Sequence, residues 1–226
     1  MNLSFCTTGG IMALLTVVTT LGIHSFLGGP ATFEEALQVY KSPYYLFTKF
    51  WVVVHCIAVM VSMYAFCKYV KHHGNVFAGL GFTFYAGFGL AEILRMCLVL
   101  GYLGHLRSVY LVSDEENVRH ILRIQMDSFT GFGQGLFLTF FICFIMGNLI
   151  TGLSCLRMSR LFHLVGIILI IWAWIGLVFF ANEFFHIQSV EIFASYFNAI
   201  YQPFARALIA LALFRAAGIS FRPSAA

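Results

Sequence analysis

Apolar residues recur along the chain in six long blocks, at residues 5–28, 44–70, 76–103, 129–153, 161–181 and 190–214. Each is near or above the roughly 20 residues that an α-helix needs to cross about 30 Å of hydrocarbon. Helix signals stand at several of their edges. Ser42-Pro43 supplies an N-cap and a proline at the first helical position of the second block, and Ser159 suits the start of the fifth. Two connections carry the capping-box pattern, TFEE from Thr32 to Glu35 and SDEE from Ser113 to Glu116. The second runs on as NVRHILRIQM, where Val118, Ile121 and Leu122 share a face and Glu115 lies four residues before Arg119. That pattern predicts a short amphipathic helix resting on the membrane surface. GFGQG opens the fourth block with no strand before it, so it is not a phosphate loop. Gly131 and Gly135 form instead a small-xxx-small pair suited to close helix packing.

Polar residues inside the blocks fall into stripes. The sixth carries Glu191, Ser195, Asn198, Gln202 and Arg206 at helical spacing, with Pro203 interrupting the hydrogen-bond ladder beside them. Lipid does not tolerate such a stripe, so it is expected to face the bundle interior or a water-filled cavity. Arg206 is also near enough to one end to snorkel. Shorter stripes are Thr16, Thr20 and His24 in the first block, and Thr48, His55 and Ser62 in the second. Gly81, Tyr85, Gly89, Glu92 and Arg95 mark the third, and Gln134 and Asn148 the fourth. The segment AEILRMC holds Glu92 and Arg95 deep among leucines, where each charge costs at least about 2.5–3.5 kcal/mol. Three residues apart, they share a helix face and neutralise each other, either as a structural pair or as a site for a substrate or proton. His55 and Glu92 lie at matching depth, about 16–18 Å from the same side.

Composition fixes the class. Of 226 residues 61% are hydrophobic and 10% charged, against about 45–50% and 25% in soluble domains. The predicted fold is all-α, a single membrane domain over residues 1–226 that spans the bilayer six times. Charge then orients it. Lys68 and Lys71, Arg157 and Arg160, and Arg215 and Arg222 occupy two short connections and the tail, all without acids. Every acid except Glu92 lies toward the other three connections. Basic loops stay cytoplasmic, so both termini are placed in the cytoplasm and the short amphipathic helices outside it. The net charge of +4 is too scattered for nucleic acid. The first block lacks a basic n-region, which favours an uncleaved anchor over a signal peptide. Six cysteines stand singly and read as small apolar residues.

Eight histidines raise haem and metal chemistry. His24, His55 and His163 fall at different depths and make no axial pair, and His72, His73, His105 and His120 lie in connections. A surface metal cluster could draw on His24, Asp127, Glu183 and His186, although no HExxH spacing supports it. No catalytic residue and no cofactor is predicted; haem and metal stay open alternatives.

The stretch HCIAVMVSMYAFCKYVKHHGNVFAGLGFTFYAGFGLAEILRMCLVLG, residues 55–101, resembles the core of uncharacterised bacterial multi-pass membrane proteins grouped as a domain of unknown function. They share a helix, a basic hairpin and a glycine-rich helix bearing an acid, here Glu92. The resemblance implies a bacterial cytoplasmic membrane and no activity. Three readings follow from the residues. The first is transport or binding of a small polar or charged solute, with Glu92, Arg95, His55, Asn198, Gln202 and Arg206 lining the route. The second is an accessory or assembly subunit of a larger membrane complex, or a homo-oligomer. The third is a redox or metal enzyme. Continuous polar faces favour the first.

Overall fold

The computed structural model describes residues 3–26, 32–73, 75–185 and 191–219, without the side chains of residues 24–26 and 191–198. All regular structure among them is helical: α1 (Leu3–Phe26), α2 (Phe33–Val39), α3 (Pro43–His72), α4 (Phe77–Leu98), α5 (Gly104–Val112), α6 (Glu116–Cys155), α7 (Arg160–Phe185) and α8 (Glu191–Ala216). Five runs are long and apolar enough to cross a membrane, Leu3–Ile23, Pro43–His72, Phe77–Val112, Glu116–Cys155 and Arg160–Phe185. Their outward faces agree with that. Ile11, Leu90 and Trp174 are 55–63% exposed, which lipid accepts and water would penalise.

Local signals act at the helix starts. Ser42 Oγ accepts from the Tyr45 amide at 3.1 Å, with Pro43 in the first turn of α3. Thr32 Oγ1 accepts from the Glu35 amide at 3.2 Å and starts α2. The second capping box does not form. Ser113 ends α5, and its carbonyl accepts from Arg119 Nε at 2.6 Å. That contact draws Arg119 away from Glu115, and α6 begins at Glu116 without a side-chain cap.

The expected surface helix is not separate either. Residues from Glu116 onward run without a break into the fourth span, giving one helix of 40 residues. Glycines at 131, 133 and 135 weaken a helix without stopping it, and no proline intervenes. Its first turns rest on protein as well: Leu122 and Met126 pack with Leu106 of α5, with Val118 beside them, while Ile121 stays 55% exposed. A five-residue π segment, Val99–Leu103, joins α4 to α5 and turns α5 toward those residues.

Consecutive long helices pack antiparallel and in chain order. Thr19 meets His55, Met60 meets Gly89, Tyr85 meets Asn148, Gly152 meets Gly166, and Tyr201 meets the Ile168 carbonyl. Leu213 and Phe214 of α8 return to Gly9 and Gly10 of α1, so the six long helices close into a ring. Between α6 and α7 backbone meets backbone. A Cβ on Gly152 would meet the Gly166 carbonyl at 2.8 Å, and one on Gly166 the Gly152 carbonyl at 2.7 Å. By contrast, Gly131, Gly133 and Gly135 have nothing within 4 Å of a Cβ. The predicted packing pair is therefore on an open face of α6, and the true small-residue contact is nearer its other end.

The core is uneven along the bundle axis. Met63, Phe66, Tyr85, Leu169, Trp172, Ile209 and Leu213 are fully buried and interlocked. All belong to the half nearer the chain ends, which this plug fills. Asn75 Nδ2 also donates to the Ser154 carbonyl at 3.1 Å, tying the α3–α4 turn to the end of α6. The opposite half is open at its centre.

Candidate functional site

Above the plug lies a cavity of about 430 Å³ with a lining drawn from all six long helices. Its floor is Trp172, Cys56, Phe144 and Arg206. Its middle holds His55, Glu92, Arg95, Phe137 and Phe140, and Ile23, Lys49, Asn182 and Glu183 lie toward the end away from the termini. Helix register explains the set: on antiparallel neighbours, these positions fall on the inward faces at successive depths.

Glu92 is 6% exposed and is bound by both ends of the Arg95 fork, Nε to Oε2 at 2.8 Å and Nη2 to Oε1 at 2.6 Å. The Arg95 guanidinium lies over the Phe137 ring at 5.3 Å. One turn of helix thus brings a carboxylate and a guanidinium together, as the spacing predicts. His55 is 8% exposed, and its Nδ1 is 2.8 Å from the Thr19 hydroxyl of α1. It faces the same cavity as Glu92, so matched depth becomes shared space.

Arg206 faces the bundle interior with its stripe and lines the cavity, so only one of its two expectations fails. It does not snorkel. At 2% exposure it is packed against Trp172, with the guanidinium carbon 4.8 Å from the ring centroid. Its Nε and Nη1 are buried without a hydrogen-bond partner, and no carboxylate pairs with it among the described residues. Gln202, one turn earlier, also lines the cavity. Glu191, Ser195 and Asn198, the rest of that stripe, lie outside the described side chains. Counting His55 as neutral, the lining carries three cations, Lys49, Arg95 and Arg206, and two carboxylates, Glu92 and Glu183. The excess is one positive charge, and it sits nearest the floor.

The other stripes have local explanations. Thr16 and Thr20 are buried, but their hydroxyls donate to the Ala13 and Thr16 carbonyls at 2.6 and 2.7 Å. Thr48 and Ser62 likewise bond back to Tyr45 and Val59. Such bonds satisfy a hydroxyl in any apolar surrounding. Gly81 and Gly89 receive Thr151 and Met60, so the small face of α4 is a packing face. Asn148, fully buried, accepts from the Tyr85 hydroxyl at 2.8 Å and donates to the Phe144 carbonyl at 2.8 Å. Gln134 is exposed and does not join it.

Of the metal candidates, Glu183 is exposed toward one end of the cavity and Asp127 is exposed on α6, while His24 and His186 lie outside the described side chains. Among the described residues no three histidines, cysteines or acids form a metal-sized group. The described cysteines are unpaired, and Cys56 lines the cavity floor. Lys49, Cys56, Trp172 and Asn182, together with the phenylalanines of α6, belong to the lining and carry no polar stripe that would mark them in the sequence.

No protein-family model, curated protein or solved structure matches the chain. The likeness of residues 55–101 rests on the sequence pattern.

Proposed function

We propose that this protein is a six-span solute-binding or transport protein of a bacterial cytoplasmic membrane, with both termini in the cytoplasm. The observation that carries the reading is the cavity: one 430 Å³ space to which every long helix contributes, holding an ion pair and a buried arginine. A scaffold gains nothing from desolvating so many charges, whereas a binding site does. α8, with 26 residues, extends about 39 Å and completes the ring as the sixth span. The plug closes the half nearer the termini, so the cavity is accessible from the outer face, where α2 and α5 lie. In this reading Glu92 and Arg95 hold or release the solute or a proton, and Gln202, Asn198 and Arg206 continue the route.

Glu92→Gln is the direct test. It removes the carboxylate while keeping size, and uptake or solute-induced thermal stabilisation is expected to vanish while the protein stays folded. Unchanged transport would remove the proposed role. An absorption spectrum and metal analysis of the detergent-purified protein distinguish this reading from a haem or metal enzyme.

A subunit role draws on one observation. Leu111, Val112, Ile121 and Ile124 are 47–78% exposed around the α5–α6 turn, beyond the segment that spans the bilayer in this topology. Stable co-purification of a membrane partner through that turn would favour it.

A further inference from the structure

We infer that the cavity takes a small organic monoanion, a carboxylate on an apolar body, with its headgroup on Arg206. The inference rests on the cavity being a ligand site. It starts from the contrast between two arginines of the lining, Arg95 on α4 and Arg206 on α8. Arg95 has its carboxylate, held by both fork ends. Arg206 is the more buried of the two, at 2% exposure, and has none among the described residues. A buried, uncompensated charge is among the most costly features a protein can keep. An anion arriving in the cavity would remove that cost, and a guanidinium presents a planar fork that matches a carboxylate in two-point contact. Trp172 covers the guanidinium from one side at 4.8 Å. A cation–π contact uses no N–H donor, and Nε and Nη1 have no hydrogen-bond partner.

The remaining surroundings narrow the class. The excess of one positive charge balances a monoanion, while a phosphate dianion would leave a negative charge in a low-dielectric space. A cation would meet that same excess with no uncommitted carboxylate near the floor. Phe88, Phe140, Phe141 and Phe144 line the same cavity, so the body of the ligand is apolar. The volume of 430 Å³ lies toward the small end of small-molecule sites, roughly 300–1,000 Å³.

Thermal unfolding and titration calorimetry in nanodiscs of zwitterionic lipid test this with matched probes: 4-phenylbutyrate, its amide, 4-phenylbutylamine, and the acids butyrate, octanoate and hexadecanoate. An acid is expected to raise the unfolding temperature and to bind at least about tenfold more tightly than its amide. Arg206→Gln should reduce the acid to the level of the amide. Arg206→Lys, which keeps the charge and loses the fork, should fall between them. Preference for the short acids identifies a solute from water, and preference for hexadecanoate a fatty acid from the bilayer. Amide or amine binding as tightly as the acid overturns the monoanion and leaves the cavity a ligand site. No response to any probe overturns both. Full acid binding by a folded Arg206→Gln protein overturns the assignment of the headgroup to that residue.

Discussion

Arg206 and Glu92 pose the same question, how a charge survives away from water, and answer it differently. Glu92 has Arg95 in its own helix. Arg206 has an indole face and two orphaned nitrogens, Nε and Nη1. Replacing Arg206 with methionine should therefore raise the stability of the empty protein, on the order of 1–4 kcal/mol, as measured by unfolding in detergent. A loss of stability would mean that the guanidinium is structurally paired after all. Tyr85→Phe should act in the opposite sense. It strands the buried Asn148 Oδ1, at a cost of about 1–3 kcal/mol. At this scale the sequence was informative about charges and misleading about hydroxyls. Two ionisable residues three apart in leucine can hardly avoid each other. Thr16 and Thr20 sit on a helical repeat yet need nothing from their neighbours, because each bonds its own backbone. Lys49 and Trp172 were illegible for another reason: a lysine one or two turns from a helix end, or a tryptophan in an apolar run, looks the same facing lipid or facing a cavity.

Between helices, side-chain size decides what may approach. α6 and α7 come together where Gly152 and Gly166 face each other's carbonyls. Gly166→Val should force them apart and destabilise the protein by about 1–3 kcal/mol, read as a lower unfolding temperature. Gly133→Ala, with nothing near its Cβ, should be neutral or stabilise by up to about 1 kcal/mol. Equal effects in the two variants would contradict the packing described. Helix existence was readable from apolar block length, and the start of α3 from Ser42-Pro43. The merging of the surface segment into α6 was not. Capping residues state where a helix is able to begin, and Ser113 is used instead by Arg119. Small-xxx-small spacing has the same weakness, since Gly131 and Gly135 satisfy it with no partner present.

For the molecule as a whole, distribution matters more than any single contact. Basic residues Lys68, Lys71, Arg157, Arg160 and Arg215 gather at the end that holds the plug, and the acids Glu34, Glu35, Asp114, Glu115 and Glu116 at the other. The proposed orientation follows from that separation. A fluorescent protein fused at the C-terminus should be bright, and alkaline phosphatase fused after Asp114 should be active. The reverse pair of results would invert the topology and with it the side from which the cavity is reached. Legibility was greatest here for class and charge asymmetry. The ring order was hidden, because lipid-facing and cavity-facing phenylalanines are chemically alike.

Trp172 gives the arrangement an optical consequence. The chain has three tryptophans: Trp174 projects outward, Trp51 donates to the Thr19 carbonyl, and Trp172 alone forms part of the cavity floor. A molecule settling beside Arg206 alters the polarity and quenching around that one indole. Occupancy should therefore be readable as a shift in intrinsic emission, without any attached dye, and Trp172→Phe should silence it.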